Sequence, residues 1–113
     1  ALDNFDATGA FGPEMVTPDE LPPGASGLRI QARVNGAIMQ DSNTAKMIFS
    51  VADSIAILAE AMTLYVGDVI IMGTCEGVGL TRKPPIFMKA GDVCEIEIES
   101  IGVLRNPIVN EQR

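Results

Sequence analysis

From Met72 to Leu80 the chain reads Met72-Gly73-Thr74-Cys75-Glu76-Gly77-Val78-Gly79-Leu80, three glycines within seven residues directly after the apolar run Val69-Ile70-Ile71-Met72. Glycine leaves its backbone amide uncovered and takes conformations closed to other residues. A strand that runs into such a loop brings bare N–H groups and one hydroxyl, that of Thr74, to its end, a combination that can hold a carboxylate or an enolate oxygen. The same residues also suit a plain glycine-rich connection whose hydroxyl caps a turn. The loop lacks the Gly-Lys-Ser/Thr of a phosphate-binding loop. No helical pattern follows it, so it is not a dinucleotide fingerprint either.

The other candidates are weaker. Cys75 sits beside Thr74, but a nucleophilic thiol needs a base or a positive field, and the chain contains no histidine. Cys75 is therefore read as a small loop residue. Asp3 and Asp6 are carboxylates of the type that bind Mg²⁺, although acids in such a segment more often face solvent or cap the backbone. Arg82-Lys83-Pro84-Pro85 is the one local positive cluster. It either closes over an anionic ligand or forms a polar loop stiffened by its prolines. Glu95, Glu97 and Glu99 alternate with Cys94, Ile96 and Ile98, the pattern of a solvated strand face. These residues on their own do not assemble a complete catalytic set.

Composition narrows the function classes. The chain has 113 residues, one domain's worth, and a net charge of −7 with only eight Lys and Arg. Nucleic acid, whose phosphates call for clustered basic residues, is disfavoured, as are acidic membrane surfaces. An acidic metabolite remains compatible if the site itself is positive or holds a metal. No apolar run approaches the roughly 18 residues of a membrane span. The two cysteines make neither a disulfide framework nor, without histidine, a zinc site. They are expected to be free thiols in a reducing compartment, the cytoplasm. The chain opens on Ala-Leu-Asp with turn-like sequence, which leads us to expect a fragment or a processed chain.

The elements that must position the loop follow from periodicity. Residues 1–27 are rich in turn formers, with a short strand expected at Glu14–Thr17 and one helical turn starting at Thr17-Pro18. Leu28, Ile30, Ala32 and Val34 alternate with Arg29, Gln31 and Arg33, a half-buried strand. Asn35-Gly36 is a hairpin signal, and Ala37–Gln40 returns. Ser50 caps a helix over Val51–Met62, with Asp53 in its first turn; Val51, Ile55, Leu58 and Met62 line one face, expected to pack on a sheet. Two Gly-Asp-Val turns lead into strands expected at Val69–Gly73 and Val93–Ser100. A last strand, Val103–Arg105 plus Ile108–Val109, is broken by Pro107. The sum is a mainly β domain with one helix, of the α+β class.

Several blocks occur in a fixed order. They are Asn4-Phe5-Asp6 and Gly12-Pro13; Val34-Asn35-Gly36, Gln40-Asp41, Asn43-Thr44 and Met47-Ile48-Phe49-Ser50; Gly67-Asp68-Val69-Ile70, Gly73-Thr74 and Gly77-Val78-Gly79; then Lys83-Pro84-Pro85, Lys89-Ala90-Gly91-Asp92 and Ile101-Gly102-Val103-Leu104-Arg105-Asn106-Pro107. Together they resemble the C-terminal half of the fumarylacetoacetate hydrolase family over essentially the whole chain. Lys83-Pro84-Pro85 and Leu104-Arg105-Asn106-Pro107 are especially similar to bacterial members labelled 2-hydroxyhepta-2,4-diene-1,7-dioate or 5-carboxymethyl-2-hydroxymuconate isomerases.

The resemblance implies a mixed β-roll that is incomplete without an upstream portion, so that residues 1–113 form the C-terminal portion of a single catalytic domain, in an enzyme that is usually a homodimer. It implies 2-oxo or β-diketo acid substrates and C–C hydrolysis, decarboxylation or keto–enol isomerisation through a metal-stabilised enolate. Gly73 and Thr74 match the substrate-contacting positions of the family's glycine loop. The catalytic residues, and the ligands of a Mg²⁺ or Mn²⁺ ion, are expected upstream of residue 1, with none in this chain, which alone would be inactive. Asp3 stands where the family usually has a substrate-contacting lysine. That departure and the missing histidine support the alternative, a non-catalytic binding or dimerisation module of the same family. In either case apolar residues that would pack on an upstream portion should be exposed.

Overall fold

The computed structural model describes residues 8–111. Asp3, Asn4 and Asp6 lie outside the described residues. The frame is a four-stranded antiparallel sheet of β1 (Arg29–Val34), β2 (Ala37–Asn43), β3 (Val93–Ile98) and β4 (Gly102–Pro107), in the order β2-β1-β3-β4. One helix, α1 (Val51–Ala61), completes the β-rich α+β architecture expected from the sequence.

The sheet forms where the sequence alternates. Opposed residues share a face, so Ile30, Ala32 and Val34 of β1 line up with Ile98, Ile96 and Cys94 of β3, and Ile96 in turn with Leu104 of β4. Leu28 and Ala32 are the buried apolar residues among those described, at 3% and 9% exposure. The opposite face is a charge ladder. Arg33 donates to Glu97 at 2.6 Å and lies 3.9 Å from Glu95, Arg29 makes a bidentate pair with Asp41, and the Arg29 amide donates to Glu99. The glutamate row is thus corrected: Glu95 and Glu97 are half-buried, because cross-strand arginines hold them down on the sheet.

The β1–β2 hairpin is pinned from outside as well as by its turn. Asn35 takes φ +51°, the left-handed conformation a tight turn of this hand requires. Its side chain donates to Asp92 at 2.9 Å and accepts from the Val93 amide at 2.9 Å. Asn35 therefore ties the hairpin tip to the start of β3. Asn35→Ala removes both bonds and leaves an alanine in the left-handed region. We expect it to cost about 2–4 kcal/mol in urea-denaturation experiments.

Asp92 is buried, at 7% exposure, and accepts from the Lys89 amide and from Asn35. The Lys89 backbone N–H first, and the Asn35 amide second, hold its carboxyl below the ordinary range. Its native pKa lies below the unfolded value, so the stability it contributes is complete above an unfolded pKa of about 4 and is lost as the pH falls through the native value. Asp92→Asn is expected to flatten the acid limb of a stability-against-pH curve and to leave its slope above about pH 6 unchanged.

The helix is capped as expected: the Ser50 hydroxyl accepts from the Asp53 amide at 3.0 Å. Its seat differs. Leu58 and Met62 border a groove formed with Leu64, Val69, Ile70 and Ile71, while Ile55 and Met62 stay 45% and 55% exposed. The apolar stripe lies against the following connection and not flat on the sheet.

Three expected strands are corrected. Glu14–Thr17 forms no strand, although the turn after it does form, at Pro18–Glu20 with Thr17 as cap. Val69–Gly73 has no ladder: among the described residues it pairs with neither edge strand, β2 or β4, so its β-propensity goes unused. Pro107 does not break the last strand but ends it, on the edge strand β4 where a missing N–H costs no ladder bond.

The apolar residues left outside are extensive. Phe11, Met15, Ile48, Phe49, Ile71 and Phe87 are all more than half exposed. That is far more than a self-contained domain of this size usually shows.

Candidate functional site

The glycine loop is built onto an irregularity of the sheet. The β1–β2 register slips between Ala32 and Arg33: Ala32 faces Gln40 while Arg33 faces Ile38, which leaves Met39 as an extra residue, a β-bulge. The bulge turns the Met39 carbonyl and the Gln40 side chain out of the ladder toward the loop. Both are used there.

Gln40 Nε2 lies 3.0 Å from Thr74 Oγ1, 2.8 Å from the Cys75 carbonyl, 3.2 Å from the Glu76 carbonyl and 3.6 Å from Cys75 Sγ. A single side-chain amide thus gathers three consecutive loop residues. Arg82 holds the other end: its guanidinium donates to the Gly77 carbonyl at 3.2 Å and to the Met39 carbonyl.

Gly77 shows why the loop must be glycine at its contact with the bulge. Its φ is +98°, and a Cβ placed there would stand 2.5 Å from the Met39 carbonyl oxygen. The backbone of residue 77 therefore lies directly on β2. Gly79 is equally closed in: its carbonyl accepts from the Ile86 amide at 2.9 Å, and a Cβ there would run into the Ile86 carbonyl. Gly73 is different. With φ +87° and open space where a Cβ would stand, it serves a left-handed backbone conformation and not a close approach.

The outcome is a clamped loop whose first residues face outward. Gly73 and Thr74 are exposed, with the Thr74 hydroxyl fixed at its base by Gln40. Gly73 and Thr74 thus stand at the exposed start of the loop, and Gln40 and Arg82 hold it, two roles not legible beforehand. Gln40 carried no chemical signal of its own, although a polar residue in register with Ala32, Ile96 and Leu104 marks a place where that face meets something polar. Of the two readings left open for Arg82, the loop-bracing one is what the structure describes: its guanidinium donates to the Gly77 and Met39 carbonyls. Lys83, which follows, is exposed.

Both cysteines are free. Burial first, and Glu95 second, push the Cys94 thiol up, so it stays protonated. Among the described residues no three His, Cys, Asp or Glu side chains come together as a metal site. An open depression lined by Arg29, Gln31, Glu97 and the turn from Glu99 to Gly102 shares no residue with the glycine loop.

Residues 1–109 match the family model described as fumarylacetoacetate (FAA) hydrolase, C-terminal. The chain belongs to the fumarylacetoacetate hydrolase family. Among similar members, it is 46% identical over 105 residues to the mitochondrial oxaloacetate tautomerase Fahd2a of Rattus norvegicus, covering 93% of this chain and 33% of that protein. It is 47% identical over 98 residues to 2,4-didehydro-3-deoxy-L-rhamnonate hydrolase of a Sphingomonas strain, with 86% and 34% covered.

Solved structures of the family agree with the fold. The fumarylacetoacetate hydrolase of Exiguobacterium antarcticum superposes with TM-score 0.84 at 39% identity, covering 89% of this chain and 36% of that one. The maleylpyruvate hydrolase of Sphingobium sp. SYK-6, in complex with manganese(II) and pyruvate, gives TM-score 0.77 at 32% identity, with 89% and 35% covered. The chain thus spans about a third of the length of the curated relatives it matches. The relatives named here are hydrolases and a tautomerase, and a 5-carboxymethyl-2-hydroxymuconate delta-isomerase is also similar, at 36% identity.

Proposed function

We propose that this chain is the C-terminal portion of a single catalytic domain that acts on 2-oxo or β-diketo acids, and that Gly73 and Thr74 form one wall of its substrate site. The observation that carries this reading is the exposed Thr74 hydroxyl on a loop clamped to the β2 bulge by Gln40 and Arg82. A hydroxyl and amides held in place in advance suit an oxygen that is charged in the substrate or becomes charged during reaction.

Hydrolysis of a C–C bond next to a carbonyl, decarboxylation and keto–enol isomerisation all pass through an enolate. One oxygen-binding wall therefore serves all three, and the named relatives divide among hydrolase, isomerase and tautomerase. A similar enzyme holds manganese and pyruvate, itself a 2-oxo acid, which supports a Mg²⁺ or Mn²⁺ ion here. No three candidate ligands come together among the described residues, and this reading places the ion's ligands upstream of residue 1. The exposed apolar residues, Phe11, Ile48, Phe49, Ile71 and Phe87 among them, suit cover by that upstream portion and by a second protomer of a homodimer. The enzymatic character of the relatives favours catalysis over a binding or dimerisation module.

The test is turnover by the full-length protein that carries this sequence. It is expected to convert a 2-oxo acid, with oxaloacetate tautomerisation and acylpyruvate hydrolysis as the first two assays, in a manner lost on chelation and restored by Mg²⁺ or Mn²⁺. No turnover of either acid, with either ion, would overturn the reading.

A further inference from the structure

We infer that Gln40 is a positioning residue that fixes the polarity of the Thr74 hydroxyl, making it a hydrogen-bond donor toward an anionic substrate oxygen. The inference rests on the proposed substrate contact of Thr74 and goes further, to the residue that decides which way the proton points. A hydroxyl has one proton and can either donate or accept toward a ligand. Which it does depends on what its other side is offered.

The orientation of the Gln40 amide is decided by its neighbours. Its terminal atom faces the carbonyl oxygens of Cys75 and Glu76, at 2.8 and 3.2 Å. Carbonyls only accept, so the NH₂ end must face them, and the amide oxygen is excluded from that place. The NH₂ has two protons, and the two shortest contacts are to the Cys75 carbonyl at 2.8 Å and to Thr74 Oγ1 at 3.0 Å, so the second proton is donated to the hydroxyl, with the Glu76 carbonyl at 3.2 Å the longer, shared contact. One acceptor position of the hydroxyl is now filled from behind, and its proton cannot point at Gln40. Among the described residues, the other acceptor recorded for the hydroxyl is the Cys75 carbonyl, at 3.5 Å, at the outer limit of a hydrogen bond. Thr74 is exposed, so its proton faces outward.

A ligand acceptor and a ligand donor are thereby told apart. A carboxylate or enolate oxygen completes the chain from Gln40 N–H through Thr74 O–H to O⁻, in which each bond polarises the next. A ligand that presents an N–H or O–H donor at this place meets a proton instead of a lone pair. The position thus selects for the oxo-acid oxygen, and Gln40 enforces the selection without touching the ligand.

The experiment is a double-mutant cycle on the full-length protein with Mn²⁺ present, using pyruvate as the probe and calorimetric Kd as the readout, with the melting temperature of every variant recorded. Thr74→Val should weaken pyruvate about 10-fold or more, and Gln40→Ala about 5- to 10-fold. The double variant should bind no worse than Thr74→Val alone, because without the hydroxyl there is no proton to direct. The isosteric Gln40→Glu places an acceptor where the donor stood and turns the Thr74 proton back toward itself. Its loss should equal or exceed that of Gln40→Ala. Thr74→Ser, which keeps the hydroxyl, should bind within about threefold of wild type and stay sensitive to Gln40→Ala.

A Gln40 that only braces the loop weakens pyruvate by the same factor in the Thr74→Val background as in wild type, and that result overturns the inference. So does a Gln40→Glu variant that binds like wild type. A Thr74→Val variant with unchanged affinity overturns the substrate contact itself, and the inference falls with it.

Discussion

Thr74→Val in the full-length enzyme is expected to lower kcat/KM for its 2-oxo acid by about 10- to 100-fold, with a change of less than about 1 kcal/mol in stability. Valine keeps the shape of threonine and removes only the hydroxyl. Thr74 is exposed, so little packing is lost, and Gln40 still has the Cys75 and Glu76 carbonyls to bind. What disappears is one hydrogen bond to a charged oxygen, worth about 1.5–3 kcal/mol, or roughly one to two factors of ten in rate. Steady-state kinetics locate that oxygen. A fall mainly in kcat places Thr74 on the oxygen that gains charge in the transition state, whereas a rise mainly in KM places it on the substrate carboxylate. An unchanged kcat/KM removes Thr74 from the site.

Gly77→Ala has the second large effect, and it acts through the backbone. At φ +98° an alanine is strained before any contact is counted, at about 1–2 kcal/mol. Its Cβ would also stand 2.5 Å from the Met39 carbonyl and 3.2 Å from Gln40 Cγ. The bulge cannot retreat without breaking the β1–β2 register, so the loop must lift. Lifting it pulls the Gly77 carbonyl from Arg82 and the Cys75 and Glu76 carbonyls from Gln40. We expect a loss of about 2–5 kcal/mol in chemical denaturation, together with loss of turnover. Gly73→Ala is the internal control. Its φ is also positive, but nothing stands within 4 Å of the added Cβ, so it should cost the strain alone, and turnover should fall less. Equal effects from the two alanines would contradict the clamped loop described here.

The contrast between these glycines shows what was legible in the sequence and what was not. That Gly73, Gly77 and Gly79 mark a special loop can be read from their density after an apolar run. That Gly77 and Gly79 are there for close packing depends on a neighbour 38 residues upstream in the one case and seven residues downstream in the other, whereas Gly73 has no such neighbour and supplies only a positive φ. The hairpin was legible from both strands and from Asn35-Gly36, because those signals are local. Met39 was not, since a bulge shifts the alternation by one residue and leaves no compositional mark. Gln40 and Arg82 follow from the bulge and were hidden with it.

The strand expected at Val69–Gly73 fails for a related reason. Val69-Ile70-Ile71 has the composition of a strand, but composition does not supply a partner, and among the described residues the run pairs with neither edge of the sheet, β2 or β4. The same absence of neighbours leaves Ile71 and Phe87 uncovered. The charge ladder was misjudged because alternation tells which residues share a face and not whether that face meets water. Arg33 against Glu95 and Glu97 is a cross-strand fact. The family resemblance supplied what local pattern could not, by reading widely separated blocks as one ordered set.

The most direct test of the account is a crystal structure of the full-length protein with pyruvate and Mn²⁺ bound. The account predicts a pyruvate oxygen within about 3 Å of Thr74 Oγ1, on the side away from Gln40, with the Gln40 amide still on the Cys75 carbonyl. Pyruvate bound elsewhere, with Thr74 Oγ1 more than about 4 Å from every pyruvate oxygen, would contradict it.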